Sequence, residues 1–262
     1  MGEADWVAGK RLCFTDVGAG HTLVFLHAFP LSGAMWRAQL QAFRAQFRVI
    51  VPELPGFGGS DPIQPWSSPM DRMGDAVAEL LENMRLSRAV FVGCSMGAYV
   101  ALQIAQRYPK MVKGLALVSG RATADDEPAR QRRIIGALEV VNRGTAVLEP
   151  MAETLVAPSA PQALRDHVLA MIREGSGPGA AAAMRGMAAR GDSTAWLARA
   201  PCPIWAVRGA DDGLVDEAAH QALAAAPGAT ALTVPGAGHL VPMEAPEAFN
   251  EGLRDFLAGL KR

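Results

Sequence analysis

The chain has 262 residues, half of them hydrophobic, with a formal net charge of −1 and three cysteines. This length suits one α/β unit carrying an insertion, and a near-neutral chain offers no electrostatic footing for nucleic acid. No run of about eighteen apolar residues is present to cross a bilayer, and the N-terminus lacks a basic segment followed by an apolar one, so we expect a soluble, cytoplasmic protein without a signal peptide. Cys13, Cys94 and Cys202 have no metal-ligand spacing, and reduced thiols are the expected state.

Residues 11–16 and 22–28 read as a hairpin joined through Gly18-Ala19-Gly20, which would open the sheet antiparallel. Parallel strands are expected at 48–51, 89–93, 114–119, 203–208 and 230–234, alternating with helices such as 72–85, 96–108, 216–226 and 246–260. That alternation marks strand–helix–strand units with helices on both faces of a mostly parallel sheet, the α/β class. Residues 121–200 interrupt it with helical pieces broken at Pro128, Pro150, Pro158, Pro161 and the Gly175-Ser176-Gly177-Pro178-Gly179 cluster. A structureless loop of that length would be exceptional inside a compact domain. We therefore expect a helical cap over residues 121–200, inserted into a core made of 1–120 and 201–262.

The chemistry begins at Gly93-Cys94-Ser95-Met96-Gly97, between the strand-like Ala89-Val90-Phe91-Val92 and the helical Ala98-Tyr99-Val100-Ala101-Leu102. A reversal that sharp forces the serine into a strained backbone, with glycines two residues away on either side relieving the clashes and the hydroxyl pushed out of the sheet. A serine hydroxyl needs a base, and the base needs a group to orient it. Of five histidines, His239 alone lies in a glycine-rich loop directly after a strand, in Pro235-Gly236-Ala237-Gly238-His239. His220 and His167 fall in helices, with the His220 ring expected in solvent; His21 follows a turn, and His27 reads as a packing or loop-bracing side chain. The strand at 203–208 ends in Gly209-Ala210-Asp211-Asp212, where spacing favours Asp212 as the acid and leaves Asp211 to cap the turn or the next helix. Acyl chemistry also requires two donors for an oxyanion. The Met96 N–H, directly after the nucleophile, supplies one, and the loop His27-Ala28-Phe29-Pro30 the other, from Phe29 because Pro30 has no N–H.

The segments HAFPLSGAMW, PELPGFGGSD, GCSMG, RGADD and GAGHLVPMEAPEAF, in that order, resemble the alpha/beta-hydrolase superfamily and cover most of the chain outside its middle. The resemblance implies that fold, with Ser95 as nucleophile, His239 as base, Asp212 as acid, and Phe29 with Met96 as oxyanion hole. Three positions depart from the commonest pattern: Ala28 where glycine is usual, Glu53 where aspartate often precedes the leucine, and Cys94 beside the nucleophile. None removes a catalytic atom, although Ala28 narrows the backbone geometry open to the oxyanion loop.

Substrate choice falls to the cap. Met151, Met171, Met184, Met187 and Trp196 are candidates to line an adaptable apolar pocket, though methionines at helical spacing also serve simple packing. Arg121 either clamps a substrate carboxylate or forms a surface ion pair with Asp125 or Asp126, and the ion pair is the favoured expectation. The pieces Gly120-Arg121-Ala122-Thr123-Ala124-Asp125 and Arg190-Gly191-Asp192-Ser193-Thr194 look like the branch grouped with 3-oxoadipate enol-lactonases, which implies a lactone or a small ester carrying an acid group. The expected activity is hydrolysis of a small carboxylic ester or lactone through an acyl-enzyme, with no cofactor or metal and no membrane or nucleic-acid partner. The same residues would serve a carbon–carbon bond hydrolase or a cofactor-free perhydrolase, and outside enzymes a slow-turnover ligand sensor or partner-binding protein. Ser95 excludes an aspartate nucleophile, and no interface signal indicates an oligomeric state.

Overall fold

The computed structural model describes residues 3–7, 9–63 and 69–260. One sheet of eight strands runs in the order β1-β2-β4-β3-β5-β6-β7-β8. In chain order the elements are β1 (Glu3–Val7), β2 (Lys10–Val17), β3 (Thr22–Leu26), α1 (Arg37–Phe43), β4 (Arg48–Pro52), α2 (Met70–Asn83), β5 (Ala89–Cys94), α3 (Met96–Arg107) and β6 (Val112–Val118). Five helices follow before the next strand: α4 (Glu127–Arg143), α5 (Met151–Thr154), α6 (Gln162–Glu174), α7 (Gly177–Ala188) and α8 (Thr194–Leu197). The chain closes with β7 (Ile204–Gly209), α9 (Glu217–Ala224), β8 (Thr230–Val234), α10 (Val241–Glu244) and α11 (Pro246–Gly259). Among the described residues no helix is long and apolar enough to cross a membrane.

The parallel body of the sheet and its helices follow the expected alternation, but the opening does not. β2 does not pair with β3; it pairs antiparallel with β1 and β4, and β3 lies between β4 and β5, parallel to both. All five residues of β3 are buried, whereas β2 is half exposed. A fully buried, mostly apolar strand gains most with a neighbour on each edge, so β3 takes the sheet interior and β2 is left towards the rim. The exchange is held by Arg48, whose guanidinium grips both Asp16 oxygens at 3.0 and 2.7 Å, while its backbone N–H donates to the His21 carbonyl at 3.1 Å.

Helix α3 is buried along most of its length, so its alanine-rich sequence serves close approach to the sheet rather than solvent. In α4, Asp126 caps the Ala129 N–H and Pro128 sits in the first turn, where a missing N–H costs nothing. Pro128 thus starts a helix instead of breaking one.

An aromatic relay ties elements that precede residue 121 to elements that follow residue 200. Phe25 of β3 lies 5.0 Å from Trp36, Trp36 lies 6.1 Å from Phe249 of α11, and Phe249 lies 5.4 Å from Trp205 of β7. Phe249 is fully buried. Truncating it deletes contacts to both sets, so Phe249→Ala is expected to lower the unfolding free energy by about 4 kcal/mol, measured from urea midpoints at constant m-value.

Candidate active site

The loops after β3, β5, β7 and β8 carry His27 to Phe29, Ser95, Asp212 and His239 to one end of the sheet, where open α/β sheets bind ligands. Ser95 has φ 53° and ψ −112°, a conformation that costs a non-glycine residue about 1–3 kcal/mol. The turn holds because the residues two positions before and after the serine are glycines. A Cβ on Gly93 would overlap the Gly97 carbonyl, and one on Gly97 would overlap the Leu26 carbonyl of β3. The Ser95 N–H is spent on the Val118 carbonyl at 2.8 Å, and its carbonyl starts α3 by accepting from Ala98 at 2.9 Å.

Asp212 is buried and takes three hydrogen-bond donors. Its Oδ1 accepts from the Leu214 and Val215 N–H groups at 2.9 and 3.0 Å, and the His239 ring Nδ1 lies 3.0 Å from each carboxylate oxygen. Burial opposes the charge, but the His239 bond and the two backbone donors outweigh it and hold the Asp212 carboxyl below its ordinary value. Asp211 is exposed, and only its backbone engages this loop, donating to Ala237. Position 212, not 211, therefore faces the imidazole. The carboxylate at Nδ1 leaves Nε2 of the same ring as its proton-accepting nitrogen.

A cavity of about 470 Å³ joins Ser95, His239 and Phe29 with residues of the insertion. Among the described residues, neither the Phe29 nor the Met96 backbone N–H has a hydrogen-bond partner. Cys94, beside the serine, is fully buried with its Sγ 3.8 Å from the His239 carbonyl, and burial pushes its thiol well above the ordinary value, so it stays protonated and inert. No group of three or more His, Cys, Asp or Glu among the described residues is placed to hold a metal ion.

The insertion contributes Met151, Met184 and Met187 to the cavity, but Met171 is packed in the core. Trp196 is a correction: it does not line the cavity. Its helix α8 is pinned at its N-terminus through Ser193, whose N–H donates to the Ala122 carbonyl at 2.8 Å and whose hydroxyl accepts from Gln106 at 2.9 Å, and the indole packs half-buried against the core. Arg121 does line the cavity, and the ion pair expected of it is absent. Asp125 is taken by Arg133 at 2.6 Å and Arg190 at 2.8 Å, and Asp126 by its cap, so Arg121 donates to the Leu214 carbonyl at 2.6 Å instead. His220 is a further correction, buried rather than solvated, with its Nε2 3.5 Å from the Thr233 hydroxyl.

Two contributors escaped the sequence reading. Arg132 lines the cavity from α4, one turn beyond Ala129 on the same face, a helical spacing that was readable once the helix start at Asp126 was known. Glu244 sits inside the quoted motif after His239 and accepts from the N–H groups on both sides of that residue, Gly238 and Leu240, each at 2.9 Å.

The sequence model of the alpha/beta hydrolase fold matches residues 21–246. The chain belongs to this family. It is 34% identical over 110 residues to a pimeloyl-[acyl-carrier protein] methyl ester esterase of Shewanella woodyi, covering 42% of this chain and 40% of that protein. Two further curated relatives are likewise covered over only 40% of their length. A longer match, 30% identical, joins 96% of this chain to 68% of the dihydrolipoyllysine-residue acetyltransferase component of an acetoin cleaving system of Pseudomonas putida. Among solved structures, a thermophilic esterase of Thermogutta terrifontis with malate bound superposes with a TM-score of 0.94 at 33% identity over 99% of each chain. An enol-lactonase of Burkholderia xenovorans LB400 gives 0.87 at 24% identity over 98% of this chain and 100% of that one, a likeness of fold.

His27 braces the loop that carries Phe29, as expected of it. The Leu54 N–H donates to its Nε2 at 3.0 Å, so Nδ1 carries the proton and donates to the Ala28 carbonyl at 3.0 Å. Burial holds this imidazole below its ordinary value, against upward pulls from Glu53 and the Ala28 carbonyl. Below about pH 6.5 the unfolded chain thus binds a proton that the folded chain refuses, and stability falls as pH falls towards the folded value. Urea midpoints should decline from about pH 7.5 to about pH 5, and His27→Gln should flatten that decline while lowering the midpoint at neutral pH. An equally steep decline in the variant would assign it to other groups, such as buried His220.

Proposed function

We propose that the protein is a serine hydrolase that cleaves a small carboxylic ester or lactone through an acyl-enzyme. The observation that carries this reading is the buried Asp212–His239 pair sharing one cavity with a serine held at positive φ. Ser95 attacks the carbonyl carbon while His239 Nε2 takes its proton, and Asp212 holds the tautomer and stabilises the imidazolium. The free N–H groups of Phe29 and Met96 receive the oxyanion, each such donor contributing about 3 kcal/mol to the transition state. His239 then returns the proton to the leaving alcohol, activates water on the acyl-enzyme, and releases the acid. The esterase among the solved relatives, at 33% identity over nearly the whole chain, supports the same class.

In this reading residues 121–200 are a cap that roofs the serine, and the three unpaired thiols suit a cytoplasmic protein. The substrate carries an acid group. Arg121 lines the cavity without a carboxylate partner among the described residues, and Arg132 adds a second positive charge to the same wall. The malate held by the Thermogutta esterase is itself a dicarboxylate.

On p-nitrophenyl esters of graded acyl length and a panel of lactones, wild type should turn over and Ser95→Ala should lose at least about 10⁴-fold in kcat, with the length profile sizing the cavity. Activity that survives the substitution would remove Ser95 as nucleophile, and an inactive wild type would favour the carbon–carbon bond hydrolase or the ligand sensor. Losing a charge-assisted hydrogen bond costs about 1.5–3 kcal/mol. Arg121→Met should therefore raise KM for an acid-bearing ester roughly tenfold or more while leaving KM for the neutral ester of equal length within about twofold. Equal changes for both esters would deny Arg121 a role in recognising the acid.

A further inference from the structure

The base loop and the insertion meet at one carboxylate. Glu244, in the short helix α10, accepts from the Gly238 N–H at 2.9 Å and the Ala157 N–H at 2.7 Å through Oε2, and from the Leu240 N–H at 2.9 Å through Oε1. Gly238 and Leu240 flank His239. Ala157 belongs to the insertion, two residues after Leu155 and three after Thr154, both of which line the cavity. The same residue is gripped from its other side, because Arg165 of α6 donates to the Ala157 and Pro158 carbonyls at 2.9 Å each. Ala157 thus stands between a cation of the insertion and an anion of the hydrolase core. Contact here is close enough to exclude a side chain, since a Cβ on Gly238 would fall on the Ala157 nitrogen.

We propose that Glu244 is a positioning residue that couples the cavity wall to the general base, so that the seating of the 154–157 segment and the placement of the His239 ring change together. This inference rests on the hydrolase reading for its kinetic consequence but not for its geometry. The carboxylate offers acceptors only, and three donors are aimed at it. An amide in its place must turn its NH₂ towards at least one of those donors, releasing either a flank of His239 or the insertion. A carboxylate that satisfies backbone donors on both sides of a catalytic side chain removes the freedom that reactive geometry cannot tolerate, where misplacement by about 1 Å costs on the order of 100-fold in rate.

The test compares wild type with Glu244→Gln and Gly238→Ala by amide hydrogen exchange, by the proton resonance of the His239 Nδ1–H bonded to Asp212, and by steady-state kinetics on a p-nitrophenyl ester. Glu244→Gln should speed exchange at Ala157 together with Gly238 and Leu240, broaden the His239 resonance, and lower kcat about 10- to 100-fold with KM changed less than about threefold. Gly238→Ala, a steric wedge between the two segments, should speed exchange at Ala157 and reproduce the broadening of the resonance. Wild-type exchange at Ala157 with an unchanged resonance in folded Glu244→Gln would overturn the coupling, as would a uniform rise in exchange across the whole chain, which marks a merely structural role. Exchange and the resonance need no substrate, so an inactive wild type would sink the hydrolase reading while leaving the coupling decided by these two readouts.

Discussion

A serine at φ 53° can stand at a strand-to-helix junction only where the chain on either side gives way. Gly93 and Gly97 give way in different directions. Gly93 lets the turn close on itself against the Gly97 carbonyl, and Gly97 lets the first turn of α3 press onto the Leu26 carbonyl at the end of β3. The second contact does more than relieve strain. Because Leu26 is held against the helix that begins at Met96, the residues directly after it, His27 to Phe29, are delivered beside the serine, and the two free N–H groups at Phe29 and Met96 follow from one backbone approach. β3 must lie beside β5 for this to happen, so the exchange that inserts β4 between β2 and β3 is tied to the geometry of the site as well as to burial.

Asp212 and His239 are brought together by the same device at the next pair of strands. A Cβ on Gly209 would overlap the Ala237 and Gly238 carbonyls, and the Asp211 N–H donates to the Ala237 carbonyl at 2.9 Å, so the loops after β7 and β8 touch through backbone before any side chain acts. Asp212 then needs only to be buried and supplied with donors. Its cost of desolvation is met by two backbone N–H groups and the imidazole, which explains a carboxyl held below its ordinary value in an apolar surrounding.

What the sequence disclosed divides along the range of the interactions involved. Strand and helix periodicity, the glycine-flanked serine, the histidine after β8 and the spacing that favours Asp212 are local patterns, and each residue so chosen lies where the local pattern put it. The failures are nonlocal. β1 went unread because its outward, half-exposed pattern carries no apolar alternation, and the false hairpin at residues 11–28 came from adjacency in sequence, which cannot show that β4 would displace β2 from β3. Trp196 was misplaced because its helix is pinned by Ala122 and Gln106, far away in the chain. Arg121 was assigned a neighbour in sequence that Arg133 and Arg190 had already taken in space. Glu244 carries no local sign of this contact, because its donors include Ala157, 87 residues away.

Residues 123–125 and 190–194 are stitched together into a single seam. Asp192 accepts from the Ala124 and Thr194 N–H groups at 3.3 and 2.7 Å, Arg190 bonds Asp125 at 2.8 Å and the Thr123 carbonyl at 3.0 Å, and its guanidinium lies 4.2 Å above the ring of Tyr99, one turn beyond Ser95 on α3. The Asp125 and Arg190 side chains are both almost fully buried, so separating them would strand an uncompensated charge at a cost of about 3–5 kcal/mol. The Asp125 carboxyl accordingly sits below its ordinary value, burial being outweighed by Arg133 and Arg190.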